Sequence, residues 1–345
     1  MTQIPITSML PSRIKKIPRM RDFLWYNLYD ITQGTGMKIA IIGVGTVGSA
    51  VATAVKNTGF VHEIVLFDRD GVRARAAADD LGHAVCFGFD VKITAASNYR
   101  GIRGSDIVII AAGANQKPGE TRMDLLKNNA NVISDIIPRV MANVDAKTVK
   151  IIILSNPLDV MVMLAHKLSR LPASRVIGTG TMLDSARLRT ILSRHLSVST
   201  HSINAYVLGE HGDSSVVDWT SLAVGALKLD DFCRQMKISL PQTTRNTITH
   251  RVRNSAYEII RGRGATWDGI GAATADLLRC IINDEHRILT VSCVDGAGTD
   301  AVAMSLPRVV GANGAVATLR PKLSPGESAE LRRSARIIRK NFDSI

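Results

Sequence analysis

The fold class is decided by the stretch Lys38-Ile39-Ala40-Ile41-Ile42-Gly43-Val44-Gly45-Thr46-Val47-Gly48. Its aliphatic half is typical of a buried strand, and the alanine-rich residues that follow, up to Gly59, have a helical pattern. Glycines at this spacing allow a tight turn, the approach of a pyrophosphate to the backbone, and close packing of the helix on the strand. The free N–H groups at the helix N-terminus then face the anion. The stretch therefore predicts a dinucleotide site at Gly43, Gly45 and Gly48.

Three further aliphatic runs follow, and each ends at small or polar residues. They cover residues 63–67, 106–112 and 149–154. Such runs, separated by helical segments, predict parallel strands in a doubly wound α/β sheet that binds its ligands at the carboxyl ends of the strands. Asp68 ends the second run, where a carboxylate can accept hydrogen bonds from both ribose hydroxyls. This predicts NAD as the cofactor. Arg69 and Arg73 nearby are cations of the kind that pair with the extra phosphate of NADP.

After about Gly178 the pattern changes to long helical segments, followed by a β-rich region. The helical patterns cover residues 185–195, 213–227, 243–261 and 272–283. Residues 288–318 are β-rich, and residues 324–327 (Ser-Pro-Gly-Glu) have the composition of a helix N-cap with a capping box. We therefore expect a first domain over residues 37–178 and a second domain of mixed α+β type over residues 179–345.

The composition excludes several classes of protein. With 345 residues and 46% hydrophobic content, the chain can form sizeable cores. Its four cysteines are far apart and no Cys/His cluster is present, so neither a metal site nor a disulfide framework is predicted. The net charge of +13 would attract polyanions, but the basic residues are dispersed apart from a cluster over residues 332–340. That cluster has helical spacing and indicates a solvated helix face, so no nucleic-acid partner is expected.

Residues 1–36 differ from the rest of the chain. They contain five Lys or Arg residues, two acids and no hydrophobic periodicity. Residues 23–29 are too short and too polar for a membrane span or a signal peptide. We interpret residues 1–36 as an N-terminal extension that is disordered or outside the core, in preference to a targeting segment. An alternative form of this interpretation is that the natural start is Met37. We expect no membrane partner. We expect a cytoplasmic location, where the thiols are reduced.

Two segments carry side chains suited to acid–base chemistry. Residues 208–214 (Leu-Gly-Glu-His-Gly-Asp-Ser) place the imidazole of His211 between two glycines and two carboxylates. Residues 111–122 have the composition of a mobile loop, and Arg122 near its end can polarise a carbonyl group. Asp184 and Arg187 lie about one helical turn apart, and from this spacing alone an ordinary helix ion pair is the better interpretation.

Five motifs occur in the order in which L-lactate dehydrogenases have them, and in these motifs the chain resembles that family. They are residues 43–48, 113–122, 155–157, 178–187 and 209–213. The resemblance covers residues 37–345. It implies a Rossmann-type doubly wound parallel sheet followed by an α+β substrate domain, NAD as cofactor, a small 2-oxo or 2-hydroxy acid as substrate, and a homo-oligomer, either a tetramer or a dimer. The resemblance also implies a role in glycolysis and fermentation.

The resemblance also implies roles for individual residues. His211 is expected to give a proton to the new alkoxide and to take it back, and Asp184 to hold the ring and favour its charged form. Arg122 completes the expected catalytic set by polarising the carbonyl group. The expected substrate contacts are Gln116, Arg122, Asn156, Arg187 and Thr266. The expected cofactor contacts are Gly43, Gly45, Val47, Gly48, Asp68, Arg73, Tyr99, Gly113, Ala114, Asn156 and Ile270. No metal ligand is expected.

Gln116 indicates which 2-oxo acid fits. Malate dehydrogenases of the wider superfamily have an arginine at this position, which pairs with the second carboxylate of their substrate. A neutral glutamine leaves that carboxylate without a partner in a closed site, so pyruvate and (S)-lactate are expected. The alternatives are a related dehydrogenase for bulkier acids such as 2-hydroxyisocaproate, then a malate dehydrogenase, and from another class a non-catalytic structural or nucleic-acid-binding protein on the same fold.

Two positions depart from the family pattern. Asp268 follows Trp267 where members usually have an aromatic or small residue, and a carboxylate there would enlarge or recharge the rim of the pocket. Allosteric bacterial members bind fructose 1,6-bisphosphate with an arginine and a histidine. Arg189 matches the arginine, but Asn204 stands at the position of the histidine, which argues against this activation.

Overall fold

The computed structural model describes residues 36–114, 121–296 and 298–345, with the side chains of Arg122 and Thr299 left out. Three of the expectations therefore lie outside the described residues. They are the nature of the extension before Gly36, the substrate contact of Gln116 and the contacts of the Arg122 side chain.

Strands and helices alternate through the first half of the chain, as the aliphatic runs predict. The strands are β1 (Met37–Ile42), β2 (Val61–Phe67), β3 (Lys92–Ala95), β4 (Ile107–Ile110), β5 (Lys150–Ile153) and β6 (Val176–Gly178). They pair in parallel in the order β6-β5-β4-β1-β2-β3. In β1, Ile39 and Ile41 belong to one hydrophobic cluster, whereas Ala40 and Ile42 belong to the other. Both faces of the sheet are therefore buried, which confirms the doubly wound arrangement.

Helices cover both faces of this sheet and continue into the second half of the chain. They are α1 (Thr46–Lys56), α2 (Gly71–His83), α3 (Arg122–Met141), α4 (Leu158–Ser169), α5 (Met182–Leu196), α6 (Leu229–Met236), α7 (Gln242–Arg263), α8 (Asp268–Ile282) and α9 (Pro325–Phe342). Ser324 caps α9, and its capping box with Glu327 is present as predicted. Ile338 is buried on one side of α9, while Arg332 and Arg336 are exposed on the other. The basic cluster thus forms a solvated helix face.

The prediction of a helix over residues 213–227 is wrong. Short strands occupy this part of the chain: β7 (Ile203–Asn204), β8 (Val207–Leu208), β9 (Val216–Val217), β10 (Ala223–Val224) and β11 (Leu227–Lys228). β8 pairs with β9, and β10 lies between β7 and β11. The apolar residues fit a helical spacing, but pairing with residues 203–208 supplies backbone partners that a local pattern cannot reveal.

The β-rich region also joins the first sheet. Its strands are β12 (Arg287–Asp295), β13 (Val302–Gly311) and β14 (Gly314–Thr318), which pair in antiparallel fashion. β12 lies against β6, with Ser292 opposite Gly178, so nine strands form one sheet across the predicted boundary at Gly178. Residues 37–345 form one compact unit. Over the described ranges, no helix has both the length and the hydropathy needed to cross a bilayer.

Candidate active site

The glycine loop between β1 and α1 has the geometry of an anion cradle. Gly43 has φ +94°, and its N–H donates to the carbonyl oxygen of Phe67 at 2.8 Å. A Cβ atom on Gly43 would lie 2.5 Å from the Ala112 nitrogen, and one on Gly48 would lie 1.9 Å from the Gly43 oxygen. At Gly45, which is exposed, a Cβ atom would have no described protein atom within 4 Å. The helix therefore packs tightly on the strand while Gly45 faces open space, which fits a bound pyrophosphate.

Asp68 follows β2 and lies against this loop. Its Oδ2 accepts the Val44 N–H at 2.7 Å, and its Oδ1 accepts the Asp70 N–H at 3.0 Å. A carboxylate can accept about four hydrogen bonds, so acceptor capacity is left for two ribose hydroxyls. Arg73 is exposed on α2 and lies 3.8 Å from the Asp70 carboxylate. The neighbouring arginine is thus partly compensated, and the residues present fit NAD.

Three more of the residues expected to contact the cofactor lie on or beside elements that flank this loop. Tyr99 packs against Phe67 with ring centroids 4.5 Å apart, and burial, reinforced by Asp135, raises the pKa of its phenol to about 12. Val47 and Ile270 are half-buried against one hydrophobic cluster. Since α8 packs closely on α1, Ile270 is brought to the helix that follows the glycine loop.

A buried amide that the sequence analysis missed joins the ends of β4 and β5. The Oδ1 of Asn129 accepts the Ala114 N–H at 2.7 Å, and its Nδ2 donates to the Asn156 oxygen at 2.7 Å. Gly113 lies beside it, since a Cβ atom there would be 3.3 Å from the Asn129 oxygen. Asn129 thereby holds Ala114 and Asn156 next to each other. The available signal was a polar residue on the face of α3 that buries Leu126 and Ile133.

His211 meets a carboxylate that comes from a distant part of the chain. Its Nδ1 lies 2.7 Å from Oδ2 of Asp184, and Oδ1 of Asp184 accepts a hydrogen bond of 2.7 Å from Arg187. Asp184 and Arg187 are neighbours on α5, and both are largely buried. The structure therefore assembles an imidazole, a carboxylate and a guanidinium group into one polar chain.

Charge and burial act in opposite directions on this chain. Burial lowers the pKa of His211, but the charge and hydrogen bond of Asp184 outweigh it and leave the pKa above its ordinary value. Burial raises the pKa of Asp184, but His211 and Arg187 outweigh it and hold the pKa below its ordinary value. Both shifts favour an imidazolium that is paired with a carboxylate.

The two acids beside His211 in sequence are engaged elsewhere. Glu210 accepts the hydroxyl of Ser214 at 2.5 Å, and Asp213 accepts the hydroxyl of Tyr257 at 2.8 Å. The carboxylates that flank His211 in sequence therefore bind other groups, and the carboxylate that contacts the ring is Asp184. Their role in the structure is to fix the turn.

Further polar groups that the sequence analysis missed hold the backbone of this loop. The N–H of His211 donates to Oδ2 of Asp159 at 2.8 Å, and the N–H of Glu210 donates to the hydroxyl of Ser334 at 2.8 Å. Gly209 and Ser305 exchange two backbone hydrogen bonds of 2.9 Å. We define the histidine loop as residues 209–214. It is held by α4, α9 and β13, which no local pattern predicts.

Thr266 lies half-buried between α7 and α8. The turn is close to the start of α5, since a Cβ atom on Gly269 would lie 2.9 Å from the Leu183 side chain. The carboxylate of Asp268 pairs with Arg263 at 2.7 Å, and this guanidinium lies 3.9 Å from the Trp267 ring. The extra acid at the rim is therefore neutralised by a neighbour. Within the described ranges, no group of three His, Cys, Asp or Glu side chains could hold a metal ion.

Comparisons with known proteins agree with this geometry. Two family models match, one described as lactate/malate dehydrogenase, NAD binding domain, over residues 37–178, and one as lactate/malate dehydrogenase, alpha/beta C-terminal domain, over residues 181–345. An L-lactate dehydrogenase of Thermus aquaticus is 45% identical over 305 residues, which cover 88% of this chain and 97% of that protein. Another, from Geotalea daltonii, is 41% identical over 314 residues, covering 90% and 99%.

Solved structures are similar over the same part of the chain. A lactate dehydrogenase enzyme from a Medee basin deep-sea metagenome library has a TM-score of 0.84 and 39% identity, and the match covers 90% of this chain and 98% of that one. A minor L-lactate dehydrogenase from Enterococcus mundtii has a TM-score of 0.85 and 34% identity, covering 90% and 99%.

Proposed function

Since the chain belongs to the lactate/malate dehydrogenase family, we propose that it is an NAD-dependent L-lactate dehydrogenase that interconverts pyruvate and (S)-lactate, with His211 as the proton donor and acceptor. The observation that carries the proposal is the chain of 2.7 Å contacts from His211 through Asp184 to Arg187. It places an acid and an anion-binding group together in the second half of a chain whose first half is an NAD-binding domain.

His211 works through the ring nitrogen that does not contact Asp184. Asp184 occupies Nδ1, so Nε2 is the nitrogen that faces the substrate oxygen and gives or takes the proton. When bound, the cofactor would supply the chemistry of hydride transfer: its reduced form, NADH, donates the hydride to the substrate C2, and its oxidised form accepts it in the reverse direction. In the reducing direction His211 begins as imidazolium and ends neutral, and the Asp184 carboxylate keeps the remaining proton on Nδ1.

Arg187 binds the substrate carboxylate. One of its N–H groups is committed to Asp184, and a guanidinium has five, so its fork keeps donors for a bidentate pair. Asn156 stands at the carboxyl end of β5 and Thr266 between α7 and α8, from where they contact the oxygen side of the substrate. Arg122 begins α3, next to the N-cap Thr121, and its side chain polarises the carbonyl group.

The substrate preference rests on Gln116. A neutral amide accommodates the methyl group of pyruvate and leaves a second carboxylate without a charged partner. The proposal further includes a cytoplasmic homo-oligomer. Supporting it, the four cysteines are unpaired within the described part of the chain.

A substrate panel tests the proposal. Purified protein is assayed with NADH and with NADPH on pyruvate, oxaloacetate and 2-oxoisocaproate, and His211→Asn serves as the control for protein-dependent chemistry. We expect the highest kcat/KM for pyruvate with NADH and almost none for the variant. A preference for 2-oxoisocaproate or oxaloacetate would assign one of the other two substrates. If the protein oxidised NADH with none of these substrates and bound RNA tightly at physiological salt, the assignment as a dehydrogenase would be wrong.

A further inference from the structure

A carboxylate with no assigned role lies directly behind the histidine loop. Asp159 is only 2% exposed on α4, and its Oδ2 accepts the backbone N–H of His211 at 2.8 Å. Its Oδ1 accepts the hydroxyl of Ser292 at 2.5 Å, and Ser292 is fully buried on β12. The Asp159 side chain therefore links His211, the residue proposed to transfer the proton, to both helix α4 and strand β12.

The packing of α4 does not by itself require a carboxylate at the position of Asp159. The residues next to Asp159 on α4 are apolar and buried, and a charge among them is costly. Burial raises the pKa of Asp159 to about 6, against the effect of the hydrogen bonds from Ser292 and His211. A neutral side chain with an acceptor oxygen could hold either donor at less cost. The carboxylate is therefore better explained by what its charge does to His211.

We propose that Asp159 is a positioning residue that fixes the backbone of His211 and, together with Asp184, keeps its imidazole protonated for reduction of the 2-oxo acid. The hydroxyl of Ser292 is part of this device because it stabilises the Asp159 carboxylate. The inference rests on the proposed function, and its test includes a readout that does not depend on activity.

Three charged groups from two helices act on His211, and Glu210 of the histidine loop acts on Asp159. Asp184 and Arg187 come from α5, and Asp159 comes from α4. Asp184 favours the imidazolium by direct contact, Asp159 favours it by charge, and Arg187 opposes it. Glu210 in turn opposes the ionisation of Asp159. Removing Asp159 should thus shift the titration of His211 less than removing Asp184.

The sign of the expected shift follows from the reaction. Reduction of the 2-oxo acid needs imidazolium, so its rate falls as pH rises through the pKa of His211, whereas oxidation of the hydroxy acid needs the neutral ring and its rate rises there. Without the charge of Asp159 the pKa of His211 is lower. Both limbs therefore move to lower pH, whereas a merely structural defect lowers both rates without moving either limb.

The experiment compares three variants with the wild type in both directions of the reaction. For Asp159→Asn we expect both limbs of the kcat/KM profile to move down by about one pH unit. For Ser292→Ala we expect a smaller shift of the same sign, because loss of the hydroxyl makes the Asp159 carboxylate harder to ionise. Thr290→Val is the control: it removes a buried hydroxyl from the same strand, one that lies 3.2 Å from Ser185. It should leave both limbs in place.

The second readout is the titration of His211 itself, followed by NMR in protein labelled at histidine Cε1, with the resonance identified by its absence in His211→Asn. If the wild type failed to reduce pyruvate, the proposed function would be wrong, whereas the NMR titration would still decide about Asp159. Unchanged titration in Asp159→Asn overturns the inference. If Asp159→Asn did not fold, unmoved limbs and titration in Ser292→Ala would overturn it.

Discussion

The parallel half of the sheet and the histidine loop are held together in different ways. In β1, β4 and β5 the buried side chains are all aliphatic, so the hydrophobic effect acts along continuous runs of sequence. The histidine loop has polar side chains, and it is held by Asp159, Asp184 and Ser334 from three distant helices. The first region is stable by composition, whereas the second depends on a few specific hydrogen bonds. Single substitutions should therefore separate activity from stability.

The largest effect is expected from Asp184→Asn, which removes one charge from the polar chain at the active site. Burial then lowers the pKa of His211 with no opposing carboxylate at Nδ1, and the ring loses its preferred tautomer. We expect kcat for pyruvate reduction at neutral pH to fall by roughly 10²–10⁴-fold. Steady-state kinetics from pH 5.5 to 9 measure this, with NADH affinity as the control for the first half of the chain. A loss below tenfold would contradict the assigned role.

Two glycines that follow β1, three residues apart, test the parallel half of the sheet. Gly48→Ala places a Cβ atom 1.9 Å from the Gly43 oxygen, and we expect it to destabilise the fold by about 3 kcal/mol or more. Gly45→Ala meets open space, so the midpoint of urea unfolding should stay unchanged while NADH affinity falls about tenfold as the methyl group displaces the pyrophosphate. Equal loss of stability in both variants would show that Gly45 is not kept free for a ligand.

These two regions also differ in what the sequence reveals. The glycine spacing, Asp68 and the aliphatic runs predict β1, β2, β4 and β5 as parallel strands, because local composition carries the burial pattern. The short strands β3 and β6 and the order of the strands were not predicted. His211 and Asp184 are 27 residues apart, and their pairing was expected from family resemblance, since spacing alone favoured an ion pair between Asp184 and Arg187.

Other features depend on contacts between distant segments and could not be predicted. The helix expected over residues 213–227 is replaced by strands because residues 203–208 supply pairing partners. Asp159, Asn129 and Ser334 each contact backbone groups 15 or more residues away. A single polar residue on a buried helix face indicates that its side chain has a hydrogen-bond partner, but the local sequence does not identify that partner.

An intermediate effect is expected from Ser334→Ala, which removes one anchor of the histidine loop. The N–H of Glu210 loses its acceptor, and a buried unpaired donor costs about 1–3 kcal/mol. Because the N–H belongs to the residue before His211, the loop shifts and kcat/KM should fall about tenfold. Unfolding in urea and steady-state kinetics measure the two effects. Ser328→Ala on the same helix is the control, and an equal loss of activity there would exclude a specific role for Ser334.

The smallest effect is expected from Glu327→Gln on α9, because Glu327 anchors the segment that follows the histidine loop and not the loop itself. Oε1 of Glu327 accepts the Trp219 N–H at 2.9 Å, and Oε2 accepts the Ser324 N–H at 2.7 Å. Burial raises the pKa of Glu327, but the hydrogen bonds from Thr220 and Ser324 outweigh it and hold the pKa below its ordinary value. Its contribution to stability is therefore complete above the ordinary carboxyl pKa and is lost as pH falls through the lowered one.

For this partly exposed group we expect Glu327→Gln to lower the free energy of unfolding by about 1 kcal/mol at pH 7. The difference from the wild type should shrink as the pH of the urea titrations is lowered from 5 towards 3, where the wild-type carboxylate is itself protonated. Glu330→Gln, on the same helix and more exposed, should show little difference at any pH. Because Trp219 is eight residues beyond His211, kcat should change less than threefold, so Glu327 supports stability alone, whereas Ser334 supports both stability and catalysis.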